Sequence, residues 1–217
     1  RHISIIQSEV KQANSIIDEI LTYSRQRELK PEVTKLNHWL DEMLSIYPFP
    51  AHIRVDKSLD PADPTVNMDV EEMKQALRNL IGNGIEVMPQ QGAVRVATQV
   101  VDKSWVRLDV GDTGPGIPQE VLEKIFTPFY TTKARGTGLG LAVVKKVIDR
   151  HGGRVEVATA VGRRTTFSLF LPIHDPSRPS QPAAAAAQLA IWLEGEGFDG
   201  ALGPACHHRI VGMQRRD

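Results

Sequence analysis

The chain has 217 residues, 41% of them hydrophobic, which is enough for one sizeable core plus extensions. Lysine plus arginine and aspartate plus glutamate each number 26, so there is no global electrostatic case for binding nucleic acid. The single Cys206 excludes an intramolecular disulfide and suits a reducing, cytoplasmic compartment, and no apolar run reaches the length of a membrane span.

The sequence begins at Arg1, already inside a helical pattern, and reads as a piece of a longer protein. In residues 1–30, Ile3, Ile6, Val10, Ala13, Ile17, Ile20 and Ser24 alternate spacings of three and four. That is a heptad-like seam, widened by Ile16 and Leu21, and it predicts a long helix pairing in a homodimer. The alternative is a helix packed on its own domain. Lys35–Ile46 reads as an amphipathic helix, and His52–Val55 and Thr65–Met68 as short strands. Asp69 is the expected N-cap of a helix that stops before Pro89. Ala93–Val101 and Trp105–Val110 read as paired strands joined at Asp102-Lys103-Ser104. Gln119–Ile125 is a short helix, and Leu139–Arg150 a longer one ended by Gly152-Gly153. Val155–Ala158 and Thr166–Leu171 close the sheet. The predicted fold class for residues 31–174 is α+β, a two-layer α/β sandwich with helices on one face. Residues 175–188 are rich in proline and alanine and read as a linker. Residues 189–217 are too short for an independent domain and form a tail of unknown role. Cys206-His207-His208 lacks a second ligand group at metal spacing, so it is not read as a metal site.

Three segments carry candidate chemistry. In Gln75–Met88, apolar residues recur at helical spacing, and Asn79 and Asn83 share one face. Two amide oxygens on one stripe suit a hydrated Mg²⁺, which takes few protein ligands; the bland alternative is a pair of solvated surface amides. Asp112-Thr113-Gly114-Pro115-Gly116 sets a carboxylate against two glycines. Gly136-Thr137-Gly138-Leu139-Gly140 opens a helix, and such a turn offers backbone N–H groups and the positive helix end to an anion. The spacing matches neither G-x-x-x-x-G-K-[ST] nor G-x-G-x-x-G.

In this order, the blocks resemble those of the catalytic ATP-binding domain of bacterial sensor histidine kinases, within the superfamily that includes gyrase and MutL-type ATPases. Asn79–Met88 is similar to the N box, Asp112–Gly116 to the first glycine box, and Gly136–Gly140 to the second. Ile125-Phe126-Thr127-Pro128-Phe129-Tyr130-Thr131-Thr132-Lys133 matches the phenylalanine box, and the likeness runs from about Leu36 to Pro172. The resemblance implies a Bergerat-type fold that takes ATP and Mg²⁺. It implies transfer of the γ-phosphoryl to a histidine on a dimerisation hairpin, for relay to a response regulator receiver domain. Asp112 would accept from the adenine amino group. Asn83 would be the main Mg²⁺ ligand with Asn79 beside it, and these two with Lys133 would be the catalytic set. Lys133, with Arg135 as a second cation, would meet the phosphates from a lid spanning Ile117–Arg135, anchored by Phe126 and Phe129. Gly136, Gly138 and Gly140 would admit the phosphates, and Gly114, Gly116, Phe129, Thr132, Thr137 and Leu139 would complete the nucleotide contacts. Residues 1–30 would be part of the second hairpin helix. His2 lacks the pattern of a phosphoacceptor, so that histidine lies outside this sequence.

One position separates kinase from ATPase. Hydrolysing members of the superfamily place a glutamate four residues before the Mg²⁺-binding asparagine; here that residue is Asn79, and an amide cannot take a proton from water. A stand-alone ATPase or a binding-only module are the alternatives. Glu86, the nearby carboxylate, reads as a partner or a surface charge. Two residues depart from the family pattern: Gly84 stands where alanine is usual, and Arg163 follows Gly162 where a second glycine is expected.

Overall fold

The structure is a computed structural model that describes residues 17, 20, 21, 28–133 and 136–177. Most of the expected N-terminal seam, Arg135, nearly all of the linker and the whole tail lie outside the described residues. Within them, seven strands and four helices follow in the order β1 (Glu32–Lys35), α1 (Leu36–Ile46), β2 (Ile53–Ser58), β3 (Thr65–Met68), α2 (Val70–Glu86), β4 (Gly92–Val100), β5 (Trp105–Asp112), α3 (Gln119–Leu122), α4 (Gly140–Arg150), β6 (Arg154–Ala160) and β7 (Arg164–Pro172). The main sheet has the order β2-β4-β5-β7-β6. Only β2 runs parallel to its neighbour there; the other pairs are antiparallel.

Alternation along the strands builds the two layers. Val106, Leu108 and Val110 of β5 and Phe167, Leu169 and Leu171 of β7 are buried towards the helices. They meet Met73, Leu77, Leu80 and Ile81 of α2 and Val143, Val144, Val147 and Ile148 of α4. On the opposite face the Ser168 hydroxyl donates to Asp109 at 2.7 Å, and the Arg154 guanidinium lies 3.9 Å over the Phe170 ring. The two-layer sandwich expected from the sequence is the fold observed.

Local chemistry sets the helix ends. The Asp69 carboxylate accepts from the Glu72 N–H at 3.1 Å and caps α2, as its position predicts. Beyond α4, Gly152 takes φ +69°, with its N–H on the Asp149 carbonyl and the Gly153 N–H on the Ile148 carbonyl. That pair of bonds is a Schellman ending. Between these ends stands His151, which is buried. Its Nε2 accepts from the Asp69 N–H at 2.9 Å, while Nδ1 lies 2.7 Å from the Val147 carbonyl. One imidazole therefore ties the start of α2 to the end of α4.

Three details differ from expectation. Glu32–Lys35 forms an antiparallel strand with β3 that was not anticipated. The short helix stops at Leu122 rather than Ile125. The β6–β7 turn closes without the second glycine: Gly162 alone takes φ +79°, and Arg163 donates to the Ala160 carbonyl at 3.0 Å.

Candidate functional site

Asp112 stands at the end of β5, paired with Val94 on one side and Thr165 on the other. Its Oδ1 accepts from the Gly114 N–H at 2.9 Å. Burial pushes its carboxyl above the ordinary aspartate range, against the pull of the Gly114 and Thr165 N–H groups. Gly114 must be small here, because a β-carbon would come within 2.7 Å of Val87 Cγ2. Gly116, at φ +74°, lets the β6–β7 turn close in, and the Gly162 N–H reaches the Pro115 carbonyl at 2.6 Å. The carboxylate is therefore held on a loop fastened from both sides.

Asn79 and Asn83 stand one turn apart on α2. Asn79 Nδ2 donates to the Gly140 carbonyl at 3.1 Å, which locks α2 to the first residue of α4 and leaves Oδ1 as an acceptor. No side chain caps α4, and its first turn holds no acid. The Leu139 N–H goes to Thr137 Oγ1 at 3.2 Å, and no side chain takes the N–H groups that follow it, which suit an anion. At Gly140 a β-carbon would lie 3.8 Å from both asparagine side chains, so the glycine leaves room between them and the helix start. Gly138 takes φ +71°, and its carbonyl accepts from the Phe129 N–H at 3.1 Å; a β-carbon there would strike the Phe129 carbonyl carbon at 2.5 Å. Lys133 reaches across the opening. Its ammonium donates to Asn83 Oδ1 at 2.8 Å and also pairs with the Glu86 carboxylate.

These groups line one cavity of about 570 Å³. From the expected set it gathers Asn79, Asn83, Asp112, Gly116, Thr132, Lys133, Gly136, Thr137, Gly138 and Gly140. Three expected contacts are not in its wall. Gly114 is buried behind Asp112, and Leu139 is wholly buried in the protein interior. Phe129 is 63% exposed at φ +66°, so it does not anchor the segment; Phe126 does, edge-on to Phe167 at 6.5 Å. The lining also includes residues to which the sequence reading gave no contact, among them Arg78, Val121 and Thr165, and Ile117 and Tyr130 of the expected lid. Thr165 pairs directly with Asp112 across the sheet, so strand register is the information that would have found it. Among the described residues, no cluster of three or more His, Cys, Asp or Glu side chains suits a metal.

The shape and chemistry match known proteins. The sequence pattern of the family described as "Histidine kinase-, DNA gyrase B-, and HSP90-like ATPase" fits residues 68–175. The signal transduction histidine-protein kinase AtoS of Escherichia coli K12 is 35% identical over 176 residues, covering 80% of this chain and 29% of that protein. The nucleotide-free catalytic domain of histidine kinase ThkA superposes with a TM-score of 0.60 at 32% identity, covering 66% of this chain and 96% of that one. ThkA in complex with the response regulator protein TrrA gives a TM-score of 0.68 at 31% identity, covering 82% of this chain and 52% of that one. The chain spans well under half of the full-length kinases it matches, 29% of AtoS and 39% of the sensor kinase ZraS of Klebsiella oxytoca.

Proposed function

Because this chain belongs to the histidine kinase-, DNA gyrase B- and HSP90-like ATPase family, in the sensor histidine kinase branch, we propose that it binds Mg-ATP and transfers the γ-phosphoryl to a histidine on a dimerisation hairpin. One observation carries this reading. A single cavity has a half-buried carboxylate at Asp112, and also holds two helix amides, an uncapped helix start and a lysine. An adenine amino group donates and triphosphate oxygens accept, so Asp112 suits the base and the remaining groups suit the phosphates.

The residues present fit the nucleotide and its ion. Asn83 Oδ1, with Asn79 Oδ1 beside it, would hold the metal, and the space left by Gly140 would admit the phosphates. When bound, Mg²⁺ neutralises charge on the β- and γ-oxygens. The chain's own task is positioning. Asp112 and its glycine loop orient the base, the α4 N–H groups and Lys133 hold the phosphate tail, and Asn79 keeps the two helices in register. Hydrolysis is disfavoured because, among the described residues, the only carboxylates lining the cavity are Asp112, at the base end, and Glu86, which follows Asn83 on the helix instead of preceding it. Asn79 cannot serve as a base.

The hairpin, the dimer and the regulator complete the proposal. Residues 1–30 serve as part of the second hairpin helix, residues 31–174 as the catalytic domain and 175–188 as a linker. Ile17, Ile20 and Leu21 are helical and 53%, 43% and 48% exposed, an apolar stripe that supports pairing with a second copy. The likeness to ThkA, solved with a response regulator, supports relay to a receiver domain. Among the described residues no helix is long and apolar enough to cross a membrane; an ATP-consuming domain with a lone cysteine works in the cytoplasm. The test is a transfer assay with γ-labelled ATP and a separate dimerisation hairpin that carries its histidine. Acid-labile, base-stable label on the hairpin is expected. Nucleotide binding without label on any hairpin would leave a binding-only module, and steady phosphate release without acceptor would make it an ATPase.

A further inference from the structure

Lys133 donates to Asn83 Oδ1 at 2.8 Å and to the Glu86 carboxylate, across the cavity and from 50 and 47 residues further along the chain. Asn83 and Glu86 are three residues apart in the closing turn of α2, so they share a stripe. The carbonyl end of a helix carries partial negative charge, and no basic residue occupies this last turn. An amide oxygen, a carboxylate and a negative helix end together make a corner built for a cation. Lys133 fills it.

We propose that Lys133 is the resident cation of this corner, held there by Glu86, and that a divalent cation arriving with the nucleotide exchanges for it. Glu86 is then a positioning residue for Lys133. The inference rests on the nucleotide reading above. The oxygen that Lys133 occupies is the one needed as metal ligand. A Mg²⁺ ion bonds oxygen at about 2.1 Å and tolerates little distortion. An ammonium held at 2.8 Å on the same atom would face it with like charge across a few ångströms. The two cations therefore alternate on Asn83. Displaced, Lys133 is free to swing to the phosphates that enter with the ion. Glu86 decides how firmly the resident cation is held, since Asn83 is neutral. The side chains of Lys133 and Glu86 are 37% and 65% exposed, so solvent weakens the pair and exchange is easy.

The test is a double-mutant cycle read by calorimetry, with a non-hydrolysable ATP analogue and Mg²⁺. The proteins are the full chain, Glu86→Gln, Lys133→Met and the double variant. Glu86→Gln is expected to bind about two- to fivefold tighter, the range that follows from losing an exposed ion pair in the nucleotide-free state. In the Lys133→Met background the same change should have no effect. Equal tightening in both backgrounds would overturn the proposal, because Glu86 would then act only as a general negative charge near an anion. Unchanged or weaker binding by Glu86→Gln in the parent background would also overturn it. Failure of the unaltered chain to bind the analogue at all would instead overturn the nucleotide reading, and this inference with it.

Discussion

Gly84 on α2 faces Asp112 at the end of β5 so closely that a β-carbon at position 84 would stand 3.1 Å from Asp112 Cβ. The glycine weakens the helix by about 1 kcal/mol relative to alanine. It lets the helix approach the strand end that carries the half-buried carboxylate. Asp112 cannot easily yield, since strands flank it on both sides. In Gly84→Ala, helix gain and contact strain offset, so stability should stay within about 1 kcal/mol of the parent. Gly84→Val adds a branched side chain against the carboxylate and should abolish nucleotide binding. Denaturant melts and calorimetry check the two halves.

Asp112 makes a pH prediction. Its folded-state carboxyl titrates above the unfolded value because burial outweighs two backbone N–H bonds. A group raised in this way binds its proton more tightly when folded. Its contribution is fully present below the unfolded value and is lost as pH rises through the folded one. Ionised Asp112 is therefore a burden at neutral pH. Asp112→Asn should melt higher than the parent at pH 7, and the advantage should vanish on acidification below the ordinary aspartate range. The same variant should bind adenine nucleotides at least tenfold more weakly. A variant that melts lower at pH 7 would contradict the account.

His151→Ala removes the acceptor for the Asp69 N–H and a buried side chain that joins two helices. A loss of about 1–3 kcal/mol in unfolding free energy is expected from the hydrogen bonding alone. His151 lies outside the cavity wall, so the nucleotide affinity of the folded fraction should change little.

Asn79 separates two effects. Asn79→Ala deletes the bond to the Gly140 carbonyl and should cost about 1 kcal/mol of stability. Asn79→Asp keeps the shape but turns a carboxylate oxygen towards that carbonyl. It should destabilise more than alanine does, despite being the closer isostere. Thermal melts of the two variants, side by side, decide this.

The local chemistry of the chain announced much of this. Asp69 and Pro89 bracket α2, Gly152-Gly153 closes α4, and both features appear where their residue types require. The asparagine spacing and the two glycine segments located the cavity. What the chain order concealed depends on tertiary pairing. β1 has mostly exposed residues and no apolar alternation, so only its partner β3 makes it a strand. Thr165 enters the site through its register with Asp112. The family resemblance implied that Phe129 is an anchor, yet with its left-handed backbone it stands exposed, while Phe126 packs on Phe167. The partnership of Lys133 with Glu86 spans the cavity, and no spacing rule on one helix could reveal it.

The most direct test is calorimetric titration of ATP into this chain with Mg²⁺ and with chelator, for the parent, Asn83→Ala and Asp112→Ala. The account predicts binding that strengthens with Mg²⁺, loses that dependence in Asn83→Ala and is lost or severely weakened in Asp112→Ala. Absent binding in the parent, or binding indifferent to both substitutions, would contradict it.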